Sequence, residues 1–218
     1  MFRGHRELVQ HLVSRGADLF AVDVTGRSAM HLACVNGLTA EVEWLAAQGL
    51  SDATPSADGM QGIHFAALGG NVETVDWLIR HHADAHAETH TGMTVMHLAC
   101  MKGHLPLAQA LARAGLSPTQ GDHRGRTPLH LAAVGKHAEV VLWLLRLGAS
   151  PRVADVDGKT PPVLVAALIA AAAPPSPDLE LVRDYLAAAT SPPPPPANIR
   201  VLRLADATII AAAETQAA

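Results

Sequence analysis

Bulky aromatic residues are nearly missing from this chain: three Trp, three Phe and one Tyr among 218 residues. That shortage excludes a core built on large rings. The 49% hydrophobic content is carried mostly by Ala, Leu and Val, small residues that suit closely packed helices. Cysteine is scarce too; Cys34 and Cys100 are too few for a disulfide scaffold. There is no excess of positive charge, since the formal net charge is −4. A polyanion-binding surface needs clustered Lys and Arg, so no nucleic-acid partner is expected. The longest apolar run, residues 161–175, falls short of the ~20 residues that cross a bilayer, and no membrane insertion is expected. Residues 1–7 have no apolar core of a signal peptide. The default compartment is therefore intracellular and reducing, cytoplasm or nucleus. No G-x-x-x-x-G-K-[S/T], H-E-x-x-H or G-x-S-x-G occurs. The chain is accordingly expected to have no catalytic residues, cofactor or small-molecule substrate, and not to be an enzyme.

What the chain does have is a period. His31, His64, His97 and His130 follow one another at 33-residue intervals. Gly26, Gly59, Gly92, Gly125 and Gly158 keep the same step five residues earlier. Trp44, Trp77 and Trp143 share another register, with Ala110 in the remaining place. Leu12, Leu45, Leu78, Leu111 and Leu144 share the next. A fixed period of this length marks a repeat architecture. The copy around residues 125–149 shows why each unit folds. Thr127 can cap a helix start and Pro128 sits at the first helical position, where no N–H is missed. Val140, Val141, Leu144 and Leu145 then make an apolar stripe on a second helix, which Gly148 can end. One unit cannot bury this stripe alone, and stacking of neighbours does so.

On these residues the unit resembles the ankyrin repeat, closest at Gly125-Arg126-Thr127-Pro128-Leu129-His130-Leu131-Ala132-Ala133; the resemblance spans residue 4 to about 189. It implies an all-α solenoid of helix-turn-helix units, about five repeats, with an incomplete first and a degenerate last. The expected organisation is residues 1–22 as the second half of a truncated first repeat, 23–155 as four repeats, 156–190 as a degenerate capping repeat with an insertion, and 191–218 as a Pro-rich linker and flexible tail. Gly4 aligns with Gly37, which suggests a partial chain and leaves Leu8, Val9 and Leu12 without a covering helix. The copy at 59–83 looks weakest: Gln61-Gly62 replaces cap and proline, Gly69-Gly70 follows, and His82 stands where a terminating glycine is expected. Gly135-Lys136 inverts the usual order and implies an altered turn. The sixth unit, with Val163 in the histidine register, carries eight extra residues that include Pro174, Pro175 and Pro177. After Ser191, Pro192–Pro196 reads as a stiff linker or as a ligand for a proline-binding domain. Residues 199–204 alternate like a strand.

The repeated histidines invite a metal reading. Stacked helices lie roughly 8–10 Å apart, which is too far for shared zinc ligation at ~2 Å. A hydrogen-bonding role is expected for His31, His64, His97 and His130, alongside Thr127 and Pro128 as structural motif. His81, His82, His86 and His90 lack cysteine partners and are not expected to bind metal. Cys34 and Cys100, two repeats apart, cannot bridge. The tryptophans read as a packing ladder rather than a cofactor box.

The resemblance further implies binding through finger tips and the exposed side of the first helices. The tips carry Val24, Thr25, Arg27, Ala57, Asp58, Met60, His90, Thr91, Met93, His123, Arg124 and Arg126. The helix positions are Val35, Asn36, Leu68, Gly69, Met101, Lys102, Val134 and Gly135. Val35, Leu68, Met101 and Val134 would form an apolar stripe, with Met60 and Met93 at its centre and arginines at its ends. The expected partner is a protein offering an apolar segment with acidic flanks, and the expected function is an adaptor or scaffold. The alternative is a regulatory or targeting segment of a larger multidomain enzyme whose catalytic domain lies outside this chain.

Overall fold

A computed structural model describes residues 6–171 and 176–191, and among them there are eleven helices and no strand. Pro174 and Pro175 of the insertion, the proline run after Ser191 and the strand-like residues 199–204 lie outside the described residues. Helix α1 (Arg6–Ser14) is followed by five helix pairs: α2 (Ala29–Val35) with α3 (Thr39–Ala47), α4 (Gly62–Gly69) with α5 (Val72–Arg80), α6 (Val95–Lys102) with α7 (Leu105–Arg113), α8 (Pro128–Val134) with α9 (Ala138–Arg146), and α10 (Pro161–Ala171) with α11 (Pro177–Thr190). The first helices α2, α4, α6, α8 and α10 pack in sequence as one layer. The second helices α3, α5, α7, α9 and α11 form the other. The chain is thus an all-α repeat solenoid.

The core is a set of rungs, each filled by the same position of successive copies. Met30, Ile63, Met96 and Leu129 are fully buried on the first helices; Val42, Val75, Ala108 and Val141 are buried on the second helices, as are Leu45, Leu78, Leu111 and Leu144. Each large side chain buried in this way contributes roughly 1.5–3 kcal/mol. Leu12, in the last of these registers, is 49% exposed on α1, the first helix among the described residues. Leu32 on α2 is likewise 48% exposed while its counterparts Phe65, Leu98 and Leu131 are buried.

Two turns depart from glycine. His82 ends the α5 unit at φ 71° and Lys136 takes φ 65° where the other copies place Gly37, Gly70 and Gly103. Both are bulky residues held in the left-handed region by the surrounding stack, a conformation with a strain cost of order 1 kcal/mol. Gly69, read from sequence as a weakness, has a packing reason. A Cβ there would overlap the Val35 carbonyl oxygen and the Asn71 side-chain amide.

Candidate partner-binding face

Every first helix among α2, α4, α6 and α8 starts in the same way. Its N-cap residue is extended: Ser28, Gln61, Thr94 and Thr127 have φ between −92° and −85° and ψ between 165° and 174°. Three residues on, a fully buried histidine turns back on that cap. The cap N–H donates to the ring Nδ1 at 2.9 Å for His31, 3.1 Å for His64, 3.2 Å for His97 and 3.1 Å for His130. An Nδ1 that accepts must be unprotonated, so the proton sits on Nε2. Nε2–H then donates forward to a carbonyl: Thr54 at 2.9 Å, Ala87 at 3.0 Å, Arg126 at 3.1 Å and Lys159 at 3.2 Å. Each ring therefore ties a helix start to the segment leading into the next unit. Burial is the largest influence on all four and lowers their proton affinity, outweighing the carbonyls and the nearby Asp23, Asp84, Asp122 and Asp155 that pull the other way.

A second set of links is not evident from the sequence. Asn71, His104 and His137 stand 33 residues apart at the starts of α5, α7 and α9. Asn71 Nδ2 donates to the Cys34 and Val35 carbonyls at 3.1 and 3.0 Å. Nε2 of His104 reaches the Leu68 carbonyl at 3.0 Å, and Nε2 of His137 reaches that of Met101, also at 3.0 Å. They satisfy carbonyls at the end of the first helix of the preceding unit, which intrahelical bonding leaves free. The 33-residue spacing was the available signal, but three positions of mixed residue type conceal it.

The finger tips are joined by one backbone bond per step. Ala57, His90, His123 and Val156 donate to the carbonyls of Thr25, Asp58, Thr91 and Arg124 at 2.8–3.1 Å. Within the fingers the chemistry changes along the stack. Asp23 accepts from the Arg27 backbone and guanidinium, and Asp122 does the same with Arg126. Hydrogen bonds from the Thr25 hydroxyl and from Arg27 hold Asp23 well below the usual carboxylate range. Burial would raise Asp122, but the bonds from Arg126 and Arg124 prevail and lower it. In the two middle fingers Ser56 and Thr89 replace the carboxylate and Met60 and Met93 replace the arginine; the hydroxyls still accept the Met60 and Met93 N–H groups at 3.2 and 3.1 Å.

The structure brings the remaining predicted binding residues together unevenly. Val35, Leu68, Met101, Met60 and Met93 are half-buried against the core, while Val134 is 43% exposed and Lys102 is exposed. Asn36 uses its side chain on the Leu32 carbonyl. His90 and His123 lay their rings over Gly59 and Gly92, and His123 stands 3.5 Å from Glu88. Acidic flanks on a partner have little to meet here. Arg27 and Arg126 are paired inside their own fingers, and Arg124 is paired with Asp157 of the next.

The other candidate groups have structural surroundings. His81 stacks on Trp77 with ring centroids 3.8 Å apart and donates to the Trp77 carbonyl. Cys34 and Cys100 are free and buried, and burial pushes both thiols up to about 12. Trp44, Trp77 and Trp143 are half-buried on the second-helix layer. Among the described residues no helix is long and apolar enough to cross a membrane.

A family model for ankyrin repeats, three copies long, matches residues 1–89 and again residues 63–155. A search of curated proteins finds no match. Ankyrin repeats are in general modules that bind other proteins, and the family is typically non-catalytic. With the family model covering most of the chain and the helix pairs stacked in its register, this chain belongs to the ankyrin-repeat family.

Proposed function

We propose that the chain is a protein-binding adaptor or scaffold whose partner docks on the middle of the face formed by the finger tips and the first helices. One observation carries this reading. The finger pair that is Asp–Arg at 23/27 and 122/126 becomes Ser56–Met60 and Thr89–Met93 in the centre, beside the half-buried Leu68 and Met101. Replacing an internal ion pair by methionine leaves the finger held by its backbone bonds and turns its side wall apolar. Methionine is flexible and polarisable and suits an adaptable contact surface. A central apolar patch with a polar rim is the layout of an interface. The partner is accordingly an apolar protein segment. Val35 and Val134 extend the patch on either side, and Arg27, Asn36, His90, Lys102, His123, Arg124 and Arg126 form its rim.

The test is affinity capture with the full chain, followed by identification of retained proteins and a binding measurement with the one recovered. Changing Met60, Met93 and Met101 together to Ser should weaken that binding by about tenfold or more while helical content is kept. Unchanged affinity in a folded triple variant would overturn the reading.

A further inference from the structure

The second-helix layer has one irregularity. Trp44, Trp77 and Trp143 occupy one register, and Ala110 holds the fourth place. Between α5 and α7, where a tryptophan on α7 would lie, there is a groove of about 490 Å³. Val72, Ile79, Leu107 and Ala110 line it, and Glu73 and Asp76 stand on its α5 wall. Asp76 also pairs with Arg80 at 2.7 Å, both side chains being exposed. The groove has the size and apolar lining of a binding cleft. It lies on the layer opposite α4 and α6, so it is distinct from the face proposed above.

The chemistry of the groove calls for aliphatic side chains flanked by cations. Ile199-Arg200-Val201-Leu202-Arg203-Leu204 offers four aliphatic residues and two arginines. Reach agrees with chemistry. The last described residue, Ser191, follows α11, which packs on α9. From α11 to the gap between α7 and α5 is two and a half helix spacings, roughly 20–25 Å. Ile199 is eight residues beyond Ser191, and five of the intervening residues are Pro192–Pro196. At ~3.1 Å per residue, an extended proline spacer covers about 25 Å. A tethered segment has an effective concentration near millimolar, so even a contact of ~0.1 mM affinity would be about tenfold more closed than open.

We propose that residues 199–204 dock into the groove between α5 and α7, filling the place that Ala110 leaves empty and setting Arg200 and Arg203 against Glu73 and Asp76.

The experiment uses the full chain with a spin label on Ala207→Cys; the native thiols are buried and leave a single reactive site. Amide signals of α5 and α7 should broaden far more than those of α4 and α6. Ala110→Trp, which restores the residue of the other copies, should abolish that selectivity. So should the double variant Arg200→Glu and Arg203→Glu, which leaves the solenoid untouched should the tryptophan variant fail to fold. Mixing labelled and unlabelled molecules separates docking within one chain from docking between chains. Even broadening over the stack, broadening centred on α4 and α6, broadening only between molecules, or retention in the charge-reversed variant would overturn the proposal.

Discussion

The starts of α2, α4, α6 and α8 and the fingers leading into them share one register but not one chemistry. At the helix starts nothing changes: four extended caps, four buried histidines, and four forward bonds of 2.9–3.2 Å. In the fingers the outer copies carry Asp–Arg pairs and the middle copies carry Ser56–Met60 and Thr89–Met93. Both regions hold the stack together through backbone groups, so the constant part is explained by stability alone. The variable part keeps its backbone bonds while its half-buried side-chain pair switches from ionic to apolar, and stability does not require that switch. The difference separates residues that make the solenoid from residues that give it something to recognise.

The largest effect that would sharpen the comparison is acidification. His31, His64, His97 and His130 are held neutral by burial, so the unfolded chain binds protons that the folded chain does not. Stability from these rings is present above about pH 6.5 and is lost as pH falls below it, by up to ~1.4 kcal/mol per pH unit for each ring that stays neutral. Urea unfolding midpoints should therefore drop steeply between pH 7 and 5. Asp122 and Asp155, both lowered, add a further loss only below about pH 4. A midpoint unchanged from pH 7 to 5 would show that the rings are not buried caps.

Next comes His97→Leu, which leaves the buried Thr94 N–H without its acceptor. The expected cost is about 1–3 kcal/mol, read as a lowered urea midpoint, with the partner affinity of the folded fraction kept. A loss of binding without a loss of stability would move the histidines into the recognition face and dissolve the distinction. The smallest effect on stability is expected from giving a middle finger the outer chemistry through Ser56→Asp with Met60→Arg. Ser56 is buried and Met60 half-buried, so the new pair would be partly buried, as Asp122–Arg126 is. Desolvation and attraction roughly offset, and stability should change by about 1 kcal/mol or less, yet partner affinity should fall clearly in a direct titration. Equal binding by this variant would show that the apolar fingers are incidental.

Much of the solenoid was legible in the sequence because its information is local and repeated. The histidine register, the caps and the rungs at 45, 78, 111 and 144 each recur at fixed spacing. His82 and Lys136 could be marked as unusual turns because they interrupt that pattern. The links made by Asn71, His104 and His137 are not legible there, since each spans 36 residues to a carbonyl of another unit and the residue type changes from Asn to His between copies. The packing reason for Gly69 is hidden in a related way: its need for close approach lies in the Val35 carbonyl of the preceding copy, not in its own helix. The register locates Arg27, Arg124 and Arg126 in the chain, but their pairing with Asp23, Asp157 and Asp122 depends on side-chain directions that spacing does not give.

Long-range ¹H–¹⁵N spectra of the histidine rings between pH 5 and 8 bear most directly on the repeated helix start. His31, His64, His97 and His130 should each show a neutral ring protonated on Nε2, with a titration midpoint below the ordinary value near 6.5. A ring among the four carrying its proton on Nδ1, or titrating as a free surface histidine does, would contradict the stacked geometry on which the rest stands.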